Sequence, residues 1–108
     1  MTERSALAEL IEEHTEAAPG IERSPSEPGV SYGVRGRAFA VVAGDVLEVD
    51  LGPAVAAAAI RTPDTAPSAR GPDWVRFAPP VLDRFARDRA VAWFEAAQRR
   101  AAGRPIAS

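Results

Sequence analysis

Residues 33–52, GVRGRAFAVVAGDVLEVDLG, contain the pattern that decides the fold. An apolar run over 38–43 is followed by the pair Gly44–Asp45 and then by a second run over 46–51. Two such runs separated by two turn-forming residues are typical of a β-hairpin. The turn sets a register that pairs Val42 with Leu47, Ala40 with Val49, Ala38 with Leu51, Val41 with Glu48 and Phe39 with Asp50.

This hairpin has one apolar face and one mixed face, because side chains alternate between the two sides of a strand. The apolar face is expected to cover the core. The mixed face combines aromatic, aliphatic and acidic side chains. Its members in this hairpin are Phe39, Val41, Glu48 and Asp50.

A second hairpin is predicted just before the first. An Arg35–Gly36 turn joins it to a strand over 31–34, which places Tyr32 and Val34 on the mixed face. A short edge strand around residues 21–24 adds a fourth strand, so the chain is expected to form an antiparallel meander. The register of the second hairpin pairs Tyr32 with Phe39 and Gly33 with Ala38.

The N-terminal segment is predicted to be a helix that Thr2 caps and that runs to about Ala18. Its apolar stripe at helical spacing includes His14, which indicates a hydrogen-bonded structural histidine. The remaining face is acidic and is interpreted as solvated surface. The apolar stripe consists of Leu7, Leu10, Ile11 and His14, and the acidic face of Glu9, Glu12, Glu13 and Glu16.

The C-terminal half is predicted to contain two more helical segments and one strand. The elements are a helix over 53–61, an exposed loop over 62–72, a strand over 74–77 and a helical segment over 81–102. Phe85 and Phe94 are about half a turn out of phase in a continuous helix, so a kink or restart is expected near Asp88. The predicted buried stripe after the kink is Ala90, Phe94, Ala97 and Ala101.

Length and composition limit the possible classes of protein. The 108 residues predict a single α+β domain over 1–108 with a frayed tail over 103–108. The absence of cysteine excludes disulfides and thiolate sites, and one histidine excludes a multi-histidine metal site. No apolar run resembles a signal peptide or a transmembrane helix, so a cytoplasmic protein without membrane contact is expected. No cofactor is predicted.

Charge is distributed unevenly along the chain. All 13 basic residues are arginine, and the formal net charge is −2. Residues 1–54 contain ten acids and four arginines, whereas residues 55–108 contain five acids and nine arginines. This layout is compatible with a basic face, and equally with the two halves pairing across the fold.

The predicted order α-β-β-β-β-α-β-α, with helices on one face of an antiparallel meander, defines the fold class as α+β. A leading helix, GIE, GRAFAVVAGDVLEVDLG, WVRF and a closing helix with W-x-x-x-A resemble the MmcQ/YjbR family of small α+β proteins. The same order is similar to the short bacterial luciferase-domain proteins, whose strands also carry G-R-x-F-A. The Pro-rich SPSEPG departs from the aromatic-rich pattern of many MmcQ/YjbR members. The resemblance implies a possible DNA-binding role.

Three functions follow from these residues. An enzyme would use Glu48 and Asp50 as acid and base, although alternating polar residues on a solvated strand explain both. A DNA-binding protein would use the arginines of the last helix. The negative net charge of the chain and the acidic residues interleaved with these arginines argue against this function. These arginines are Arg84, Arg87, Arg89, Arg99 and Arg100.

The favoured interpretation is a non-enzymatic binding module, monomeric or homodimeric, for a small ligand or a protein partner. It would use the mixed face of the sheet, where aromatic area and charged groups combine. Trp74 is the expected anchor and the loop over 62–72 the expected cover, with Arg70 brought over this face when a ligand binds. The predicted ligand-binding residues are Tyr32, Arg37, Phe39, Trp74, Arg76 and Arg70, with no catalytic or metal-binding residue.

Overall fold

Three helices pack on one face of a six-stranded antiparallel sheet in the computed structural model, which describes residues 5–26 and 29–103. The strand order is β1-β2-β3-β4-β6-β5. The α+β class and the helix placement are therefore as predicted. The elements are α1 (Ala6–Ala17), β1 (Glu22–Pro25), β2 (Val30–Val34), β3 (Arg37–Ala43), β4 (Val46–Asp50), α2 (Pro53–Ala59), β5 (Thr65–Pro67), β6 (Trp74–Phe77) and α3 (Arg84–Gly103).

The central hairpin of β3 and β4 has the predicted register from the turn as far as Ala40 and Val49. The two predicted pairs beyond this point, Phe39 with Asp50 and Ala38 with Leu51, are not part of the ladder. Gly44 has a φ of 59°, which belongs to the left-handed region that primed hairpin turns require of glycine. The paired residues are Ala43 with Val46, Val42 with Leu47, Val41 with Glu48 and Ala40 with Val49. The turn residues alone therefore fixed this part of the sheet.

A β-bulge at Phe39 corrects the predicted placement of two aromatic residues. Tyr32 pairs with Ala40 and Gly33 with Ala38, so Phe39 is an extra residue between two pairs. The extra residue shifts the alternation, and both Tyr32 and Phe39 lie in the core under the helices. Their predicted place on the mixed face is wrong, as is the pairing of Tyr32 with Phe39. Val34, predicted on the same face as Tyr32, also lies in the core.

The bulge requires a close approach of β2 to β3. A Cβ atom on Gly33 would lie 2.7 Å from the backbone oxygen of Arg37, which is closer than real Cβ contacts come. Glycine is therefore needed at this position, beside the bulge that it permits.

The segment predicted as an exposed loop over 62–72 contains a short edge strand. Residues Thr65–Pro67 form β5 and pair with β6, and the Thr65 hydroxyl donates to the Ala59 carbonyl at 2.9 Å. The sequence did not predict this strand, because three residues that end in proline are too few to show an alternating pattern. Pairing with β6 and the contact with α2 hold it in place.

Helix α1 begins later than predicted. Ser5 is its N-cap, and the Ser5 hydroxyl accepts from the Ala8 amide at 3.0 Å while donating to the Gly44 carbonyl at 2.7 Å. Thr2, the predicted cap, lies outside the described residues. The serine thus caps the helix and fastens it to the central hairpin turn.

Helix α3 runs without interruption from Arg84 to Gly103, so the predicted kink near Asp88 is wrong. Its first turn is instead capped by Asp83, whose side chain accepts from the Ala86 amide at 2.9 Å. Phe85 is 75% exposed and Phe94 is 1% exposed, so the two aromatic residues lie on opposite sides of one helix. The buried stripe is Ala86, Ala90, Phe94, Ala97 and Ala101, which includes all four predicted members.

Phe94 is the centre of the core between α3 and the sheet. Its ring lies 5.5 Å from that of Tyr32 in an edge-to-face arrangement and 5.2 Å from that of Phe39. Leu7 and Ile11 of α1 belong to the same cluster of buried residues, and so do Ala56 and Ala59 of α2. No helix of the described chain is both long enough and apolar enough to cross a membrane.

Candidate functional site

Strands β4 and β6 place charged and aromatic side chains side by side on the second face of the sheet. Glu48 pairs with Arg76 and Asp50 pairs with Trp74, while Val75 and Phe77 are buried in the core. The predicted split of the WVRF strand is thus confirmed. We call the surface formed by Glu48, Arg70, Trp74 and Arg76 the Trp74 surface.

Arg70 contributes to this surface from the loop between β5 and β6. Its guanidinium carbon lies 5.6 Å from the centroid of the Trp74 ring, within the range of a cation–π contact. Its Nε donates to Glu48 Oε1 at 3.2 Å, and the buried Ser68 hydroxyl donates to Glu48 Oε2. Glu48 therefore holds the loop against the sheet and holds Arg70 over the tryptophan.

An apolar groove of about 250 Å³ adjoins Trp74. The groove lies between α2 and the part of the chain that runs from the end of β5 to the start of β6. Trp74 is half-buried, and Ile60 on the rim is 39% exposed. The lining residues are Pro53, Ala56, Ala57, Ile60, Pro67, Gly71, Pro72 and Trp74.

The two other arginines predicted to bind a ligand, Arg76 and Arg37, lie on strands that are not neighbours in the sheet. Arg76 is exposed, and its side chain makes no hydrogen bond or ion pair with another described residue. Arg37 is half-buried in β3, so β4 lies between it and the strand of Trp74. The structure thus brings together Trp74, Arg76 and Arg70 from the predicted set, whereas Tyr32 and Phe39 are in the core.

The paired carboxylates predicted as an acid and base have separate surroundings. Asp50 Oδ1 accepts from the Gly52 amide at 3.2 Å and from Arg100 Nε at 3.3 Å. Arg100 also donates to Asp73 at 3.2 Å, so it joins α3 to the end of β4 and the start of β6. Glu48 is held by the loop residues instead. These contacts favour structural roles for both carboxylates.

A polar cluster that the sequence did not predict joins the buried residues Glu12 and Tyr32 to the exposed Arg23. Glu12 is 7% exposed, contrary to its predicted place on the solvated face. The Tyr32 hydroxyl donates to Glu12 Oε1 at 2.9 Å, and Arg23 of β1 donates to Oε2. The only local signal is that Glu12 follows the buried Ile11 and so lies at the margin of the apolar stripe.

His14 contacts α3 on the helical side of the molecule. Its Nε2 lies 3.5 Å from Glu95 Oε2, and its ring centroid lies 6.5 Å from that of Phe94. Both side chains of the His14–Glu95 pair are partly exposed, but the Nε2 atom itself is buried and makes no hydrogen bond with a described residue, so the hydrogen bond predicted for His14 is not found at this atom. The contact joins α1 to α3 and is separate from the Trp74 surface.

We expect His14→Gln to lower the free energy of unfolding by less than about 1 kcal/mol, because partly exposed ion pairs contribute little. Urea denaturation measures this change. Ligand binding at the Trp74 surface should stay the same. A loss of binding with unchanged stability would instead assign His14 to the binding site.

The described residues contain no group of three or more histidine, aspartate or glutamate side chains arranged to hold a metal ion. A scan of protein-family models and searches of curated proteins and solved structures found no match to the chain, so its resemblance to the MmcQ/YjbR family stays a prediction.

Proposed function

We propose that the chain is a non-enzymatic binding protein whose ligand has a planar apolar body and an anionic group. The observation that carries this proposal is that Trp74 lines an apolar groove of about 250 Å³ and also lies 5.6 Å from the Arg70 guanidinium carbon. An indole ring offers a flat apolar surface for stacking. Concave apolar sites with a few fixed polar groups are typical of ligand binding.

Local charge supports an anionic ligand. Glu48 is already paired with Arg70, and its side chain is only 20% exposed. Arg76 pairs across the sheet with Glu48, yet makes no ion pair with any described residue. The exposed charge beside Trp74 is therefore that of a guanidinium, which is suited to a carboxylate or phosphate group.

The test is a titration with naphthoate, which has a planar body and a carboxylate, against naphthamide, its neutral analogue. We expect naphthoate to bind more tightly and Arg76→Gln to weaken its binding by about tenfold, since hydrogen bonds to charged groups contribute about 1.5–3 kcal/mol. Trp74→Ala should weaken both compounds. Isothermal titration calorimetry gives these affinities.

Arg87→Gln is the matched control, because Arg87 is an exposed arginine of α3. Its affinity for naphthoate should equal that of the unaltered protein. Equal binding of naphthoate and naphthamide would contradict the anionic preference. Naphthoate binding that survives Trp74→Ala would contradict the location.

DNA binding stays a prediction from the sequence. Among the arginines assigned to it, Arg100 is bound to Asp50 and Asp73, and Arg89 lies over the Trp93 ring at 5.7 Å. These contacts reduce the number of cations available to phosphates. The Trp74 surface therefore has the stronger support.

A further inference from the structure

The segment just before α3 and the first turn of α3 expose the two most solvent-accessible large apolar side chains of the described residues. Phe85 is 75% exposed and Val81 is 68% exposed. They lie four residues apart, and both border one groove of about 400 Å³. Adjacent exposed apolar side chains of this size commonly mark an interaction surface.

The groove beside Phe85 has an apolar lining with charges of both signs. Phe77, Ala86 and Pro80 supply apolar lining. Asp64 and Asp83 supply negative charge, and Arg89 supplies positive charge. The groove shares no lining residue with the one beside Trp74.

We propose that this surface binds a second copy of the chain in a twofold homodimer. A twofold contact requires a surface that is complementary to itself. Here a projecting ring, Phe85, stands beside a groove, so each copy can place its Phe85 in the groove of the other. Because Arg89, Asp64 and Asp83 line the same groove, each copy also offers the other charges of both signs.

A protein of different sequence would need to supply all three features separately, namely a projecting apolar group, a groove for Phe85 and charges of both signs. A second copy supplies them together. The surface is distinct from the proposed ligand site, and the dimer does not depend on the proposed function.

Sedimentation velocity over a wide range of concentrations tests the dimer. The full chain should change from monomer to dimer as its concentration rises. Phe85→Asp should weaken the association by about a hundredfold, because symmetry removes two buried phenyl rings at once. Val55→Asp on α2 is the matched control, since Val55 is also exposed, at 52%, and borders neither groove. It should leave the association unchanged.

The absence of cysteine from the chain allows a second, independent test. Val81→Cys places a single thiol in the proposed interface, and Val55→Cys places one outside it. Under mild oxidation the Val81→Cys protein should form disulfide-linked dimers at least about tenfold faster, because the interface raises the local thiol concentration. Circular dichroism confirms that each variant is folded.

A chain that stays monomeric at every concentration overturns the proposal, even if Phe85 then proves to bind a different protein. A dimer that Phe85→Asp does not weaken also overturns it, since the interface must then lie elsewhere. Equal cross-linking rates at positions 81 and 55 lead to the same conclusion.

Discussion

Replacing Phe94 with alanine is expected to lower the free energy of unfolding by about 3–5 kcal/mol. The ring is 1% exposed and contacts the rings of both Tyr32 and Phe39. Alanine leaves a cavity where α3 meets the sheet, and these side chains cannot fill it without moving the bulge. A domain of this size is stable by only about 5–15 kcal/mol, so the variant should be close to unfolding at ordinary temperature. Urea denaturation followed by circular dichroism measures the change.

Phe85→Ala is the matched control, because it removes the same side chain from the same helix. Phe85 is 75% exposed, so the change in stability should stay within about 0.5 kcal/mol. Both variants are measured at a concentration where the chain is monomeric. Equal losses at positions 85 and 94 would contradict an uninterrupted α3 that buries only one of the two phenylalanines.

Replacing Glu12 with alanine is expected to lower the free energy of unfolding by about 1–3 kcal/mol. The substitution removes the acceptor of the Tyr32 hydroxyl, which is buried, and of Arg23. The Tyr32 hydroxyl then lacks one hydrogen bond in the folded protein that it can still make to water in the unfolded chain. Glu13→Ala, at the adjacent exposed position, should change stability by less than about 0.5 kcal/mol.

A double-mutant cycle with Tyr32→Phe separates the hydrogen bond from the helix propensity of alanine. The two substitutions should couple by about 0.5–3 kcal/mol, because they remove two ends of one contact. Additive effects would show that Glu12 and Tyr32 do not interact in solution. Equal losses from Glu12→Ala and Glu13→Ala would contradict the burial of Glu12.

The central hairpin could be predicted as far as Ala40 and Val49, because a two-residue turn sets the register of the pairs next to it. Gly44 at a positive φ fixes the pairing of Val42 with Leu47 and of Ala40 with Val49. The buried stripe of α3 was predictable for a similar reason, since helical periodicity is a local property.

The bulge could not be predicted in this way, because it depends on how two strands meet. The requirement for glycine at position 33 comes from the backbone of Arg37, four residues along the chain. The prediction assumed strict alternation of side chains along β3 and β2, and it therefore assigned Tyr32 and Phe39, which lie in the core, to the ligand site. The buried Tyr32 hydroxyl then needed a partner, and Glu12 supplies it from a different element.

The part of the candidate site that β6 contributes was predicted more completely than the part assigned to β2 and β3. Trp74 and Arg76 alternate with the buried Val75 and Phe77, so period two was sufficient there. The position of Arg70 over Trp74 was predicted only as a consequence of ligand binding. Its link to Glu48 joins residues 22 apart in sequence, and no local pattern reveals such a contact.

The central claim is that Trp74 belongs to an accessible binding surface. Trp93→Phe leaves Trp74 as the only tryptophan, so its fluorescence reports on this surface alone. Iodide quenching is the most direct measurement, because iodide is an anion and should be drawn to Arg70 and Arg76. We predict red-shifted emission that iodide quenches strongly, and we expect naphthoate to suppress the quenching. Blue-shifted emission that iodide cannot quench, in a monomeric protein, would contradict the claim and place Trp74 in the core.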